Sequence, residues 1–159
     1  MWSFIKRLLA GPTPPENPLR ETVSFDATGF TRSSELARAL GQQEFWPWSD
    51  IQEFGFRYTQ AIYPDPWSGD YMEGLWFLRV PSDGGGLMAM ELDEATLDVE
   101  RLPPALLHNM PGLDMGALRA GLAAAARGPR NFECAGEWVA WRRGTTTPPA
   151  AATAGPGPA

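Results

Sequence analysis

Ile51-Gln-Glu-Phe-Gly-Phe-Arg-Tyr-Thr-Gln-Ala-Ile-Tyr63 is the stretch whose reading decides the fold class. Phe54, Phe56 and Tyr58 fall on alternate positions, the spacing of a β-strand that buries one face and wets the other. The cluster Pro64-Asp-Pro-Trp-Ser-Gly-Asp70 then supplies turn residues. Leu75 to Val80 reads as a buried strand, Ser82-Asp-Gly-Gly-Gly86 as a hairpin loop, and Leu87-Met-Ala-Met-Glu-Leu92 as its partner.

Working outward, Thr22-Val-Ser-Phe25 and Phe30-Thr-Arg-Ser33 flank the turn Asp26-Ala-Thr-Gly29 and predict a second hairpin. Ser34 to Leu40 fits either one or two helical turns or an extension of that strand. Glu44-Phe-Trp-Pro-Trp48 reads as a short strand whose proline marks an edge or an end. Pro103 and Pro104 close the sheet region, and Asp114 reads as the N-cap of a helix running to about Arg127, stopped by Gly128-Pro129. Leu118, Gly121, Leu122 and Ala125 form its expected buried face. Asn131–Cys134 and Glu137–Trp141 are expected as a last pair of strands. The fold class is therefore α+β, mainly an antiparallel sheet or partly open barrel of about six to eight strands with one substantial C-terminal helix.

Residues 1–18 read as a short helix and a Pro-rich lead, 19–143 as a single domain, and 144–159 as a disordered tail of Pro, Ala, Gly and Thr. Seven Trp, eight Phe and three Tyr in 159 residues supply a globular core that a disordered chain lacks. The net charge of −6 is unevenly spread. From Glu44 to Asp114, thirteen Asp or Glu face only Arg57, Arg79 and Arg101. Such a middle repels phosphate backbones and argues against nucleic acid. It favours a basic partner, although acidic surfaces also serve solubility alone. Cys134, the sole cysteine, forms no internal disulfide, so a reducing cytoplasm is the expected location. There is no apolar run of about 18 residues, and the charges of Lys6 and Arg7 fall inside the first apolar stretch, unlike an export signal.

Catalysis finds few candidates. His108, the only histidine, lies among Pro104, Leu106, Leu107 and Pro111, where a packed or surface role is expected. Cys134 stands between Glu133 and Ala135, which do not activate a thiol. Nitrogen and sulfur ligands number two, too few for structural zinc, and Asp65–Asp70 lacks the ligand positions of a calcium loop. Gly84-Gly-Gly86 has neither a following helix nor a nearby lysine to cradle phosphate. No catalytic residue, cofactor or metal is expected. What remains are aromatics among acids, the pattern of binding hot spots. The expected partner-binding set is Trp46, Asp50, Glu53, Tyr63, Asp65, Trp67, Asp70, Tyr71, Glu73, Glu91, Asp93 and Glu94. The alternative for Trp46 and Trp48 is that they plug the core.

Val23-Ser-Phe-Asp26 with Gly29-Phe30, Trp48-Ser-Asp-Ile51, Leu75-Trp-Phe-Leu78, Met110-Pro-Gly-Leu-Asp114, Phe132 and Trp141-Arg-Arg143 together resemble small bacterial proteins with a pleckstrin-homology-like sheet. Several of these are similar to immunity proteins that neutralise a toxin delivered by a neighbouring cell. The resemblance covers about residues 21–143 and brings no active-site residues. It implies a cytoplasmic binding protein whose acidic, aromatic surface over 44–98 covers the basic active-site groove of a cognate toxin. The alternative is a peripheral membrane or scaffold module anchored by Trp2, Phe4, Ile5, Leu8 and Leu9, although Lys6 and Arg7 alone give little pull toward anionic lipid.

Overall fold

The structure is a computed structural model and describes residues 20–144. The expected N-terminal helix and lead over 1–18, and the tail beyond Gly144, lie outside the described residues.

The alternating segment forms β4 (Glu53–Gln60), the centre of a four-stranded antiparallel sheet. It pairs with β5 (Met72–Pro81) on one side and β7 (Gly136–Arg142) on the other, and β5 also pairs with β6 (Leu87–Asp93), giving the order β6-β5-β4-β7. β1 (Thr22–Phe25), β2 (Gly29–Ser33) and β3 (Phe45–Pro47) form a separate three-stranded antiparallel sheet. Among the described residues there are three α-helices: α1 (Glu35–Ala39), α2 (Pro104–Asn109) and α3 (Met115–Ala125).

Alternation sorts the large sheet into two unlike faces. Phe54, Phe56 and Tyr58 lie opposite Leu78, Trp76 and Gly74 and point into the core, where Phe30 and Trp46 arrive from the small sheet and Trp48 from the 3-10 turn that follows it. Phe54 stacks on Trp76 at 5.9 Å between centroids, and Phe56 meets the same indole edge-on at 5.1 Å. Three buried aromatics use a polar handle to hold a connecting segment. Trp48 Nε1 donates to the Asp26 carbonyl and Trp76 Nε1 to that of Glu94, both at 2.8 Å. The Tyr58 hydroxyl donates to the Gly128 carbonyl at 2.6 Å. Burying these rings without such partners would cost more than their area returns.

α3 covers the β4–β7 side of the inner face. Asp114 caps it through Oδ1, which accepts from the Ala117 amide at 2.9 Å. Leu118 and Gly121 are its buried residues. A Cβ at Gly121 would stand 2.8 Å from Phe56 and 2.9 Å from Trp138, so glycine sets how closely helix and sheet approach.

Several expectations need correction. Of the expected last strand pair only β7 forms; Phe132–Cys134 is a 3-10 turn. Ser34 resolves the open choice by capping α1, its Oγ accepting from the Ala37 amide at 3.0 Å. α2 was missed, since Pro104 reads as a terminator when its place is the first helical turn, where its missing N–H is harmless. Trp46, expected among exposed aromatics, is only 5% exposed, as its strand turns it against Phe30.

Leu118→Ala should therefore cost about 2–5 kcal/mol in urea unfolding. Leu107→Ala, on the exposed side of α2, should stay within about 0.5 kcal/mol.

Candidate functional site

The outer face of the large sheet carries Glu53, Gly55 and Arg57 on β4 opposite Arg79, Phe77 and Leu75 on β5. Phe77 is fully buried there although it points away from the main core. Two guanidiniums cover it, with Arg79 Cζ 4.7 Å and Arg57 Cζ 5.7 Å from its ring centroid. Gly55 makes room beneath: a Cβ there would stand 2.2 Å from the Trp138 carbonyl oxygen and 2.6 Å from the Phe77 ring. The register shift between Phe54 and Gly55 lies at the same point.

Carboxylates lock both arginines in place. Arg79 binds Glu53 at 2.5 Å and Glu137 at 2.8 Å, while Arg57 binds Glu91 at 2.6 Å and Glu137 at 2.7 Å. Arg142 adds a second partner for Glu53 at 2.9 Å. For Glu137, burial favours the neutral acid, but hydrogen bonds and charge from Arg57 and Arg79 outweigh it and hold the carboxyl below its ordinary range. For Arg79, burial likewise opposes the charge, and Glu53 with Glu137 more than restores it. Glu53 and Glu91 are thus neutralised members of a network, and the sequence reading missed Glu137, its hub. Charges of both signs on the outward positions of neighbouring strands were the available signal.

Toward the other end of this face the arginines run out. Burial, then the charges of Asp93 and Glu91, push the Glu73 carboxyl above its ordinary range. Asp93 is exposed opposite Leu75. Glu94 is also exposed; its carbonyl serves Trp76 and its carboxylate lies where a side chain at Gly74 would go.

The connection from β4 to β5 carries the largest exposed apolar side chains. Trp67 is 96%, Ile62 83% and Tyr63 81% exposed. The loop is nonetheless tied. Asp65 Oδ1 accepts from the Trp67 amide at 2.9 Å, the Ser68 amide at 2.7 Å and the Ser68 hydroxyl at 2.8 Å. These hydrogen bonds, Ser68 hydroxyl first, hold its carboxyl below the usual range. Asp65 and Gly69 exchange two backbone bonds at 2.9 Å, and Arg130 Nη2 donates to the Ser68 carbonyl at 2.7 Å. Asp70 is exposed beside this turn, and Tyr71 is half-buried where the loop rejoins the sheet.

No family model, curated protein or solved structure matches this chain.

Of the expected partner-binding residues, the structure brings Tyr63, Asp65, Trp67, Asp70 and Tyr71 to this one loop, with Ile62 unforeseen beside them. Glu53, Glu73, Glu91 and Asp93 share the outer sheet face, with Glu94 following β6. Trp46 and Asp50 stand at the opposite end of the sheet. His108 is exposed on α2. Cys134 is not without a cation, as the sequence reading had it: Arg127 Nη1 lies 3.5 Å from its sulfur. No group of three His, Cys, Asp or Glu placed to hold a metal ion occurs among the described residues, and no helix there is long and apolar enough to cross a membrane.

Gly55→Ala should destabilise by about 1–3 kcal/mol, because backbone and Phe77 must both yield. The two perturbed glutamates should respond to pH with opposite sign. Glu137 is depressed when folded, so its contribution is present above the unfolded value of about 4.3 and fades as pH falls through the folded pKa. Glu137→Gln should lower the melting temperature at pH 7 and lose that effect below about pH 4. Glu73 is raised and penalises the fold when ionised, so Glu73→Gln should raise the melting temperature at pH 7, with the gain vanishing in acid.

Proposed function

We propose that the chain is a non-catalytic, cytoplasmic binding protein that neutralises a cognate toxin by covering its basic active-site groove, in the manner of an immunity protein. The observation that carries this reading is Trp67, 96% exposed on a loop that Asp65 and Arg130 hold in one shape. A large aromatic kept in water is unfavourable for a free protein, and a fixed one loses little entropy on binding. Ile62 and Tyr63 widen the anchor, and Asp70, Glu73 and Asp93 supply negative charge that no arginine neutralises among the described residues. A groove built for phosphate substrates carries the complementary sign. The reading gives His108 and Cys134 no catalytic role. The pleckstrin-homology-like arrangement belongs to the same proposal, and two antiparallel sheets support it.

Mixed with the toxin encoded beside it, the protein should elute as one complex at low salt and separate as salt rises. Trp67→Ala should weaken that complex by about 30-fold or more while leaving the circular dichroism spectrum unchanged. Two independent peaks at low salt would contradict the proposal.

A further inference from the structure

The two edges of the large sheet are finished differently. At β7 the edge is blunted: its register against β4 shifts between Phe54 and Gly55, Glu137 and Arg142 put charge on the strand, and the Ala140 carbonyl accepts from the Asp114 amide at 2.8 Å. β6 has none of these devices. Leu87-Met-Ala-Met-Glu-Leu-Asp93 contains no Lys, Pro or Gly and pairs with β5 in unbroken register. Leu87 and Met88 are 49% and 45% exposed. Among the described residues, no hydrogen bond joins the β6 backbone to any element but β5.

Two bonds fix which backbone groups are left over. The Ser82 amide donates to the Gly86 carbonyl at 3.1 Å, across the mouth of the β5–β6 hairpin. The Arg79 carbonyl, opposite Ala89, turns the other way and accepts from the Gln52 amide at 2.8 Å. Backbone direction alternates along a strand, so Met88, Met90 and Leu92 bond to β5. Leu87, Ala89, Glu91 and Asp93 aim their N–H and C=O groups away from it, a row of donors and acceptors that an added strand would satisfy.

The strand is complementary to itself. An antiparallel copy laid along β6 about a two-fold axis at Met90 sets Leu87 opposite Asp93 of the second copy and Ala89 opposite its Glu91. Each outward-facing residue then meets another, and no two acids stand directly opposite, whereas a parallel copy in the same register would set Glu91 on Glu91. Met88, Met90 and Leu92, which lie opposite the core residues Val80, Leu78 and Trp76, would carry the apolar inner face across the junction.

We infer that the β6 edge joins a second copy of this chain as an antiparallel strand pair, so that the large sheets of the two copies run on as one. The contact is a strand edge roughly 23 Å long, which places it among small, concentration-dependent interfaces. The inference goes beyond the toxin-binding reading and uses neither Trp67 nor its loop.

Sedimentation equilibrium of the full-length protein between about 1 μM and about 1 mM should show monomer giving way to dimer. Hydrogen exchange should show the Leu87, Ala89 and Glu91 amides becoming protected as the dimer forms. Ala89→Pro removes an amide that β5 does not use, so the circular dichroism spectrum should persist while association weakens at least about tenfold. Leu87→Lys, facing Asp93, should associate at least as tightly as the unsubstituted protein, and Leu87→Asp about tenfold less. This exposed pair decides the question independently of the proline. A monomer at every concentration, a dimer that Ala89→Pro leaves intact, or equal losses in the two Leu87 variants would overturn the inference. So would a dimer abolished by Trp67→Ala, which would put the contact on the loop. A failed toxin-binding experiment with an intact dimer would count against that reading alone.

Discussion

Phe77 sets the problem that the outer sheet face must solve. A phenylalanine on a solvent-facing position of a central strand is an invitation to aggregate unless something covers it. Here the cover consists of the Arg57 and Arg79 guanidiniums, which lie over the ring and are held there by Glu53, Glu91 and Glu137. Gly55 completes the arrangement by leaving the ring a place to lie. Isolated surface ion pairs contribute little, but a connected, half-buried network that also shields an aromatic has both charge and packing behind it.

This arrangement decides where charge is left over. The acidic middle of the chain looks like one negative patch when counted along the sequence. In three dimensions its centre is neutralised, and Arg142 and Glu137 are drawn in from the less acidic C-terminal third to do it. Among the described residues, carboxylates without an ion-pair partner remain toward the ends of the sheet: Asp70, Glu73 and Asp93 near the aromatic loop, Asp50 and Asp83 at the other end. At the loop end exposed apolar side chains and negative charge stand together, beside a sealed, nearly balanced face.

Much of the fold was legible because strand alternation is a local signal. β1, β2, β4 and β6 follow from period and turn residues, and Asp114 announced α3. What failed depends on tertiary context. Nothing local distinguishes Pro104 as a helix opener from a terminator, and nothing in Asn131–Cys134 reveals that β7 alone would find a free edge, on β4. The loop tip was readable for the opposite reason: Trp67 between Pro66 and Ser68 in a turn has no strand or helix to bury it. Trp46 was misplaced because strand direction, not its acidic neighbourhood, aims its ring at Phe30. The ion network required the register of four strands, which no single segment contains.

A tip that binds without first having to order itself is the feature on which the functional reading rests, and backbone relaxation by NMR measures it directly. Residues 65–69 should show order parameters near those of the sheet, about 0.85, with the order lost in Asp65→Ala. Values below about 0.6 in the unsubstituted protein would mean that the aromatic side chains are presented by a flexible loop, and the anchor described here would not exist.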